Sequence, residues 1–343
     1  MNELAQFCKE LKKDFTPKIK DAKKPVGSWS EKDVLNGKIV DAFVIIFRTK
    51  GCSWAQESGC SMCGYFNDSM WDDISDEDLL KQFDTAMKNY SGQKFVKIFT
   101  SGSFLDDKEI KPKVRKQILM KLAETADKIS VESRPEFITD KKLSEIKDIL
   151  KSKTFEIGVG LETANDSLRE RCINKGFKFD DYKKAAKTMK KYGFKLKTYV
   201  LVKPPFLTEK ESIEDAKNTV DKIKSITDTI SFNPTNVQRN TLVNYLWQRR
   251  QYRPSWLFSV VDILKESKKT APDVFIKCDI SGGGSVRGAH NCKNCDRKYL
   301  NAIRDFSLNQ DVKVFKDLDC GCKENWLDIL DIEDLTFGSI IDV

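Results

Sequence analysis

Histidine is almost absent: His290 is the only one in 343 residues, so a mechanism that needs a histidine base anywhere else is excluded. Long apolar runs are missing too. No stretch approaches the roughly 20 residues required to span a bilayer, and the opening MNELAQFCKELKKDF has no signal-peptide core. The expectation is a cytoplasmic protein with no membrane association. Nucleotide fingerprints are also lacking, since SGGGSVRGAH, with Gly282, Gly283, Gly284 and Gly288, follows neither the Walker nor the Rossmann pattern.

What is present suits a well-cored chain with room for one large α/β domain and a small appendage. Hydrophobic residues make up 40% and charged residues 33%, which is a folded rather than a disordered composition. The net charge of +8 from 60 Lys and Arg permits a polyanionic partner without demanding one. The ten cysteines are clustered, and in a reducing compartment such clusters are more often metal sites than disulfides.

Short β-rich runs fall at 39–48, 95–100, 128–132, 154–161, 195–202 and 228–232. Between them lie amphipathic Lys/Glu-rich segments such as DEDLLKQFDTAMKNY, KPKVRKQILMKLAETAD, DKKLSEIKDILKSK and KESIEDAKNTVDKIKSI. Six strand-then-helix units imply a parallel sheet, either open or curled into a barrel, with ligands at the carboxyl ends of its strands. Polar residues recur at that rim: Cys52, then Ser101, Gly102 and Ser103, then Glu132 and Arg134, then Glu162.

The first cysteine group is RTKGCSWAQESGCSMCGYFND, with Cys52, Cys60 and Cys63 after the first apolar run. Three thiolates are one short of a closed tetrahedral shell, so a metal held by them keeps a position open for substrate or cofactor. The plainer alternative is a structural zinc with a distant fourth ligand. Likewise, Ser101-Gly102-Ser103 reads by itself as an ordinary tight turn, and Arg134 as a local partner of Glu132 or Glu136. Cys8 and Cys172 read as ordinary thiols.

A second group near the other end contains Cys292 and Cys295 as C-x2-C, and Cys320 and Cys322 as C-x-C, with Cys278 and His290 as spare ligands. This pattern favours a structural zinc module over a second cluster. Between the two groups, Arg239, Arg249, Arg250 and Arg253 alternate with Trp247, Tyr252 and Trp256. The arginines could meet phosphates, while Leu246, Trp247, Trp256, Leu257 and Phe258 read as the buried stripe of a helix.

The three-cysteine loop, the small-residue turn and ESRPE together resemble the radical S-adenosylmethionine (SAM) superfamily, whose core is a partial (β/α)6 TIM-like barrel. The longer set PVGSWSEK, SGSFLD, ESRPEFI, GVGLET, NPTNVQRNTLVNYLW, YRPSWL and RGAHNCKNCD is similar to the archaeal archaeosine-biosynthesis radical SAM proteins, the RaSEA family, from about residue 24 onward. The resemblance implies an N-terminal extension at 1–38, a radical SAM core at 39–240 and a C-terminal region with a Cys-rich module at 241–343. It further implies a [4Fe–4S] cluster on Cys52, Cys60 and Cys63, and SAM contacts from Ser101, Gly102, Ser103, Glu132, Arg134 and Glu162. Three departures from the commonest superfamily pattern stand out: seven residues separate the first two cysteines, Met62 precedes the third, and SGS replaces GGE.

The activity so implied is a radical C–N lyase acting on tRNA. A lysine attached to 7-cyano-7-deazaguanine at D-loop position 15 is cleaved to leave archaeosine, and the lysine-attaching archaeosine transferase is the expected partner. Alternatives are another radical SAM tRNA modifier, such as a methylthiotransferase with a second cluster on the four C-terminal cysteines, or a non-catalytic zinc and RNA scaffold. Neither the electron donor nor the group that quenches the radical follows from the residues.

Overall fold

The computed structural model describes residues 3–13, 15–16 and 20–336. The remaining residues, within the expected N-terminal extension and at the end of the C-terminal region, lie outside the described residues. Eight strands form one sheet in chain order: β1 (Gly27–Leu35), β2 (Lys38–Ile46), β3 (Phe95–Phe99), β4 (Lys128–Glu132), β5 (Thr154–Glu162), β6 (Lys195–Val202), β7 (Thr229–Pro234) and β8 (Phe275–Cys278). β1 and β2 pair antiparallel as a hairpin. Every pairing from β2 to β8 is parallel, which is the α/β partial barrel expected from the alternation of strand and helix patterns. β1 and β8 lie outside the six strands read from sequence and extend the sheet at both edges.

The helices are α1 (Glu3–Glu10), α2 (Ser53–Glu57), α3 (Asp76–Met87), α4 (Pro112–Thr125), α5 (Asp140–Leu150), α6 (Asp166–Leu168), α7 (Phe179–Lys191), α8 (Glu209–Ile223), α9 (Leu242–Gln248), α10 (Leu257–Thr270), α11 (Asp296–Asn309) and α12 (Lys323–Thr336). Local chemistry marks their starts. Ser75 accepts the Asp78 N–H at 3.0 Å, Pro112 opens α4, and Thr208 with Glu211 forms a reciprocal capping box at α8. None of the described helices is long and apolar enough to cross a membrane.

Strand alternation sorts the side chains into two environments. Val96, Ile98, Ile129, Val131, Ile157, Val159, Val200 and Ile230 bury themselves in the main apolar core with the helices. Their neighbours in sequence fill the concave side with charge. Lys97 of β3 binds Glu31 at 2.6 Å and also Asp33, both on β1. Lys277 of β8 reaches the same Asp33 at 2.9 Å. Glu156 of β5 takes Lys128 at 2.7 Å and the Ser130 hydroxyl at 2.8 Å.

Asp33 thus ties the hairpin at one edge of the sheet to the last strand at the other, which curls the sheet inward. Burial opposes its charge, but Lys277 and Lys97 outweigh that and hold the carboxyl far below the usual carboxylate range. Such a group stabilises the fold above its unfolded pKa, and the contribution fades as pH falls toward the folded value. Removing Asp33 leaves Lys97, 3% exposed, with a single carboxylate partner. Asp33→Ala is expected to cost about 3–5 kcal/mol, read from urea denaturation at neutral pH; a loss below about 1 kcal/mol would reduce the triad to an ordinary surface pair.

Candidate active site and metal centre

The cysteine loop leaves the carboxyl end of β2 and carries little apolar material of its own. Cys52 precedes the single turn of α2, and Cys60 and Cys63 follow it. The loop is held from outside. Ser61 donates its N–H to the Ile173 carbonyl at 2.9 Å and its hydroxyl to the Cys172 carbonyl at 2.6 Å. The Trp54 indole N–H reaches the Asn174 carbonyl at 2.7 Å, and the Asn174 amide reaches the Gly59 carbonyl at 2.7 Å. Residues 169–173 form a π-helical turn that ends on Asn174 with φ +55°, a left-handed conformation asparagine tolerates well.

Two further groups grip the loop. Lys12, beyond α1, donates to the Ala55 and Ser58 carbonyls at 2.8 and 2.5 Å. The Gln238 side chain accepts the Gly64 N–H at 2.5 Å, next to Cys63. Neither was identified from sequence, because the pairs are 46 and 174 residues apart.

Burial pushes Cys63 up to about 12, Cys60 and Cys52 add to the shift, and the Tyr65 N–H opposes it. Burial also raises Cys52, against the Arg134 charge and the Ala55 N–H. Donors aimed at sulfur are what a cluster thiolate requires. The trio is less tightly drawn together: among the described residues, the one group of three or more ligand atoms all within 4.8 Å of one another lies elsewhere.

The SGS turn lies directly against this loop. A methyl group on Gly102 would stand 2.6 Å from Cys52 Cα and 2.5 Å from Glu109 Oε2, so only glycine fits. Ser103 donates its N–H to Glu109 at 2.5 Å and accepts the Arg134 N–H on its hydroxyl at 3.0 Å. Glu109 also accepts the Thr49 hydroxyl at 2.5 Å, linking the turn to the residues before Cys52. Sequence reading passed over Glu109 because it falls in an irregular loop. Its signal is retrospective: SGS lacks the carboxylate of GGE, and a carboxylate arrives from six residues downstream of Ser103.

Arg134 is largely committed to the protein. Its Nε donates to Glu136 at 2.5 Å, its Nη1 donates to the Lys175 carbonyl at 2.9 Å, and its guanidinium lies over Trp54 and Phe177. The local pairing with Glu136 is therefore realised, alongside a role in bracing the loop. Glu162, at φ +69°, pairs with Lys175 at 2.6 Å. Lys175 is a fourth residue the sequence reading missed, and its ammonium acts on the Cys60 and Cys63 thiols. Burial raises Glu132, opposed by the Tyr199 hydroxyl and by Lys197 and Lys175.

The second cysteine group closes on itself. Cys292 lies 3.6 Å from Cys295 and 3.6 Å from Cys320, sulfur to sulfur, and Cys295 lies 3.8 Å from Cys322. Four sulfurs about 2.3 Å from one ion stand about 3.8 Å apart at the corners of a tetrahedron. The geometry fits one metal ion, whereas the ligands of an iron–sulfur cube each hold a different iron and stand farther apart. Burial acts to raise Cys292, but the Cys295 N–H and the neighbouring thiols outweigh it and bring it to about 7. Cys278 and His290 stand outside the group: Cys278 is buried in the apolar core, and His290 Nδ1 contacts the Gly288 carbonyl at 2.8 Å.

Residues 46–221 match the Radical SAM superfamily, and the chain belongs to it; membership implies a [4Fe–4S] cluster and SAM. Over 338 residues it is 42% identical to the archaeosine synthase subunit beta of Methanosarcina acetivorans, covering 97% of each chain. It is 39% identical over 305 residues to the protein of that name from Thermococcus kodakarensis, covering 87% of this chain and 94% of that one. Among solved structures, methylornithine synthase (PylB) shares the fold with a TM-score of 0.51 at 12% identity, covering 80% of this chain and 69% of that chain.

Two expectations follow. Burial holds Glu109 at about 7 despite hydrogen bonds from Thr49 and Ser103. A carboxyl raised on folding contributes stability below its unfolded pKa and loses it as pH rises through the folded value. Between pH 4.5 and 7 the metal-free chain should therefore lose a contribution on the order of 3 kcal/mol that Glu109→Gln does not show; parallel urea titrations with identical pH slopes would contradict this. Separately, Cys292→Ser with Cys320→Ser should abolish binding of one equivalent of metal, measured by elemental analysis, while leaving Cys52, Cys60 and Cys63 able to bind iron.

Proposed function

We propose that this protein is a radical SAM C–N lyase of archaeosine formation, cleaving a lysine adduct of 7-cyano-7-deazaguanine at D-loop position 15 in tRNA. The observation that carries the reading is the loop of Cys52, Cys60 and Cys63 at the mouth of the half-barrel, in a chain similar over almost its whole length to proteins named archaeosine synthase subunit beta. The cluster and SAM, when bound, would supply the radical chemistry that opens the bond between the lysine side chain and the adduct nitrogen, releasing the lysine-derived fragment and leaving the formamidine on the base.

The chain's own residues bind, orient and shield. Cys52, Cys60 and Cys63 hold three irons. The Ser101-Gly102-Ser103 turn, positioned by Glu109, lines the methionine end, and Lys175, paired with Glu162, faces the same thiols with positive charge suited to a carboxylate. Glu132 with the Tyr199 hydroxyl stands at the concave rim. Arg134 acts here chiefly by fixing Trp54 and the 172–176 segment. The four C-terminal cysteines hold a structural zinc, and their single-ion spacing weighs against a methylthiotransferase with a second cluster. The name of the relatives points to a partner subunit, which on this reading is the transferase that attaches lysine.

The test is anaerobic reconstitution with iron and sulfide, then dithionite and SAM, with 5′-deoxyadenosine and archaeosine quantified. Lysine-modified tRNA should stimulate 5′-deoxyadenosine formation at least tenfold over unmodified transcript, and Cys60→Ala should abolish both products and the brown cluster absorbance. Equal turnover with both RNAs would remove the substrate assignment, and cluster retention in Cys60→Ala would remove the ligand assignment.

A further inference from the structure

Residues 229–261 contain no Asp, Glu or Lys and four arginines, in a chain where 52 residues are acidic, about one in seven. The acid-free character resumes at 280–295, which adds Arg287. The fold brings these pieces together beside the cysteine loop. The Asn67 amide, four residues past Cys63, donates to the Arg239 carbonyl at 3.0 Å, the Asn240 amide donates to Asn67 Oδ1 at 2.8 Å, and the Val243 N–H reaches the Ser61 carbonyl at 3.2 Å. Whatever binds this segment is therefore held at the mouth of the barrel.

Its arginines divide into two layers. Arg287 and Arg253 are half-buried and structural: Arg287 bonds the Val237 carbonyl and Asn244, and Arg253 bonds the Pro254 and His290 carbonyls. Arg239, Arg249 and Arg250 are exposed, and none of them forms a salt bridge among the described residues. Arg249 lies 3.5 Å over the Tyr245 ring, and Arg287 lies 4.5 Å over Trp247. Arg249 Nη1 also donates to the Tyr245 carbonyl at 3.2 Å, and a guanidinium stacked on an aromatic ring keeps its remaining N–H groups available to phosphate.

We propose that Arg239, Arg249 and Arg250, at the end of α9 and in the turn before it, are the docking surface for the sugar-phosphate backbone of the RNA substrate, setting the reactive base over the barrel mouth. This rests on the tRNA reading above and adds to it the surface that reading leaves unassigned. Backbone binding suits the residues: arginines in a segment that contains no acids serve any phosphate chain. An acidic protein surface is the competing occupant. The arginine-for-lysine bias and the attachment to the reactive loop favour RNA.

The experiment measures binding of unmodified tRNA transcript to the reconstituted enzyme by fluorescence anisotropy, from 50 to 300 mM salt, without SAM. Arg239→Ala with Arg249→Ala and Arg250→Ala is compared with the charge-matched Lys116→Ala with Lys141→Ala and Lys147→Ala on the outer helices α4 and α5. The arginine variant should bind at least tenfold more weakly at 100 mM salt and show a log–log salt slope shallower by about 2 to 3. The lysine variant should match wild type. Tenfold weakening with unchanged circular dichroism and unchanged RNA-independent SAM cleavage supports the surface, because a disturbed cysteine loop would lower that cleavage.

Equal weakening in both triple variants, or unchanged affinity and slope in the arginine variant, overturns the proposal. So does retained RNA affinity together with lost association with an acidic protein subunit, which assigns the patch to protein. Absence of transcript binding by the wild-type enzyme also overturns it. Because the assay uses neither SAM nor the lysine-modified base, a failed surface leaves the lyase reading standing, whereas a failed lyase assay with intact binding leaves the surface standing.

Discussion

The cysteine loop does not hold its own shape. Between Cys52 and Cys63 only Ala55, Ser58 and Ser61 have side chains clearly withdrawn from solvent, which is too little apolar surface to order a dozen residues against their conformational entropy. Order comes from hydrogen bonds to the 172–174 carbonyls and amide, to Lys12 and to Gln238. The three thiols are therefore placed by segments drawn from the N-terminus, the middle and the last third of the chain.

The same economy governs the barrel. A parallel sheet flanked by helices would leave its concave face open to water, yet here that face is filled with paired charge instead of apolar bulk. Asp33 holds Lys97 and Lys277 across the floor, and Glu156 holds Lys128 and Ser130. Pairing satisfies groups that burial would otherwise penalise. A floor built this way leaves the upper rim to Glu132, Tyr199, Lys175 and the cysteine loop, so the candidate site and its support occupy different levels.

The two cysteine groups make a useful contrast. The four C-terminal sulfurs approach to 3.6–3.8 Å, a shell complete for one ion and closed to substrate, which suits stapling of α11 and the segment before α12 to the core. The three near Cys60 stand wider and remain one ligand short. Counting thiols separates the groups in principle, but only the sulfur spacing decides that the second accommodates one ion rather than a cube.

The strands from 39 to 234 were legible because each is a short run rich in β-branched and apolar residues between longer amphipathic helical segments, and the rim residues were legible because parallel strands deliver their carboxyl ends to one face. β1 and β8 were not. β1, GSWSEKDVL, is largely polar since its partners are ionic, and β8 is only four residues long. Glu109, Lys12, Lys175 and Gln238 were illegible for a different reason: each acts on a residue distant in sequence or through an irregular loop, and neither composition nor periodicity encodes such contacts. Sequence alone was enough to mark the candidate ligand types, their number and the strands that carry them, because these are local properties. Tertiary structure alone decided that Arg134 braces the loop through Glu136 and Lys175, that Glu109 supports the SGS turn, and that the acid-free arginine segment stands beside the reactive mouth, because each depends on which distant backbones the fold brings within hydrogen-bonding reach.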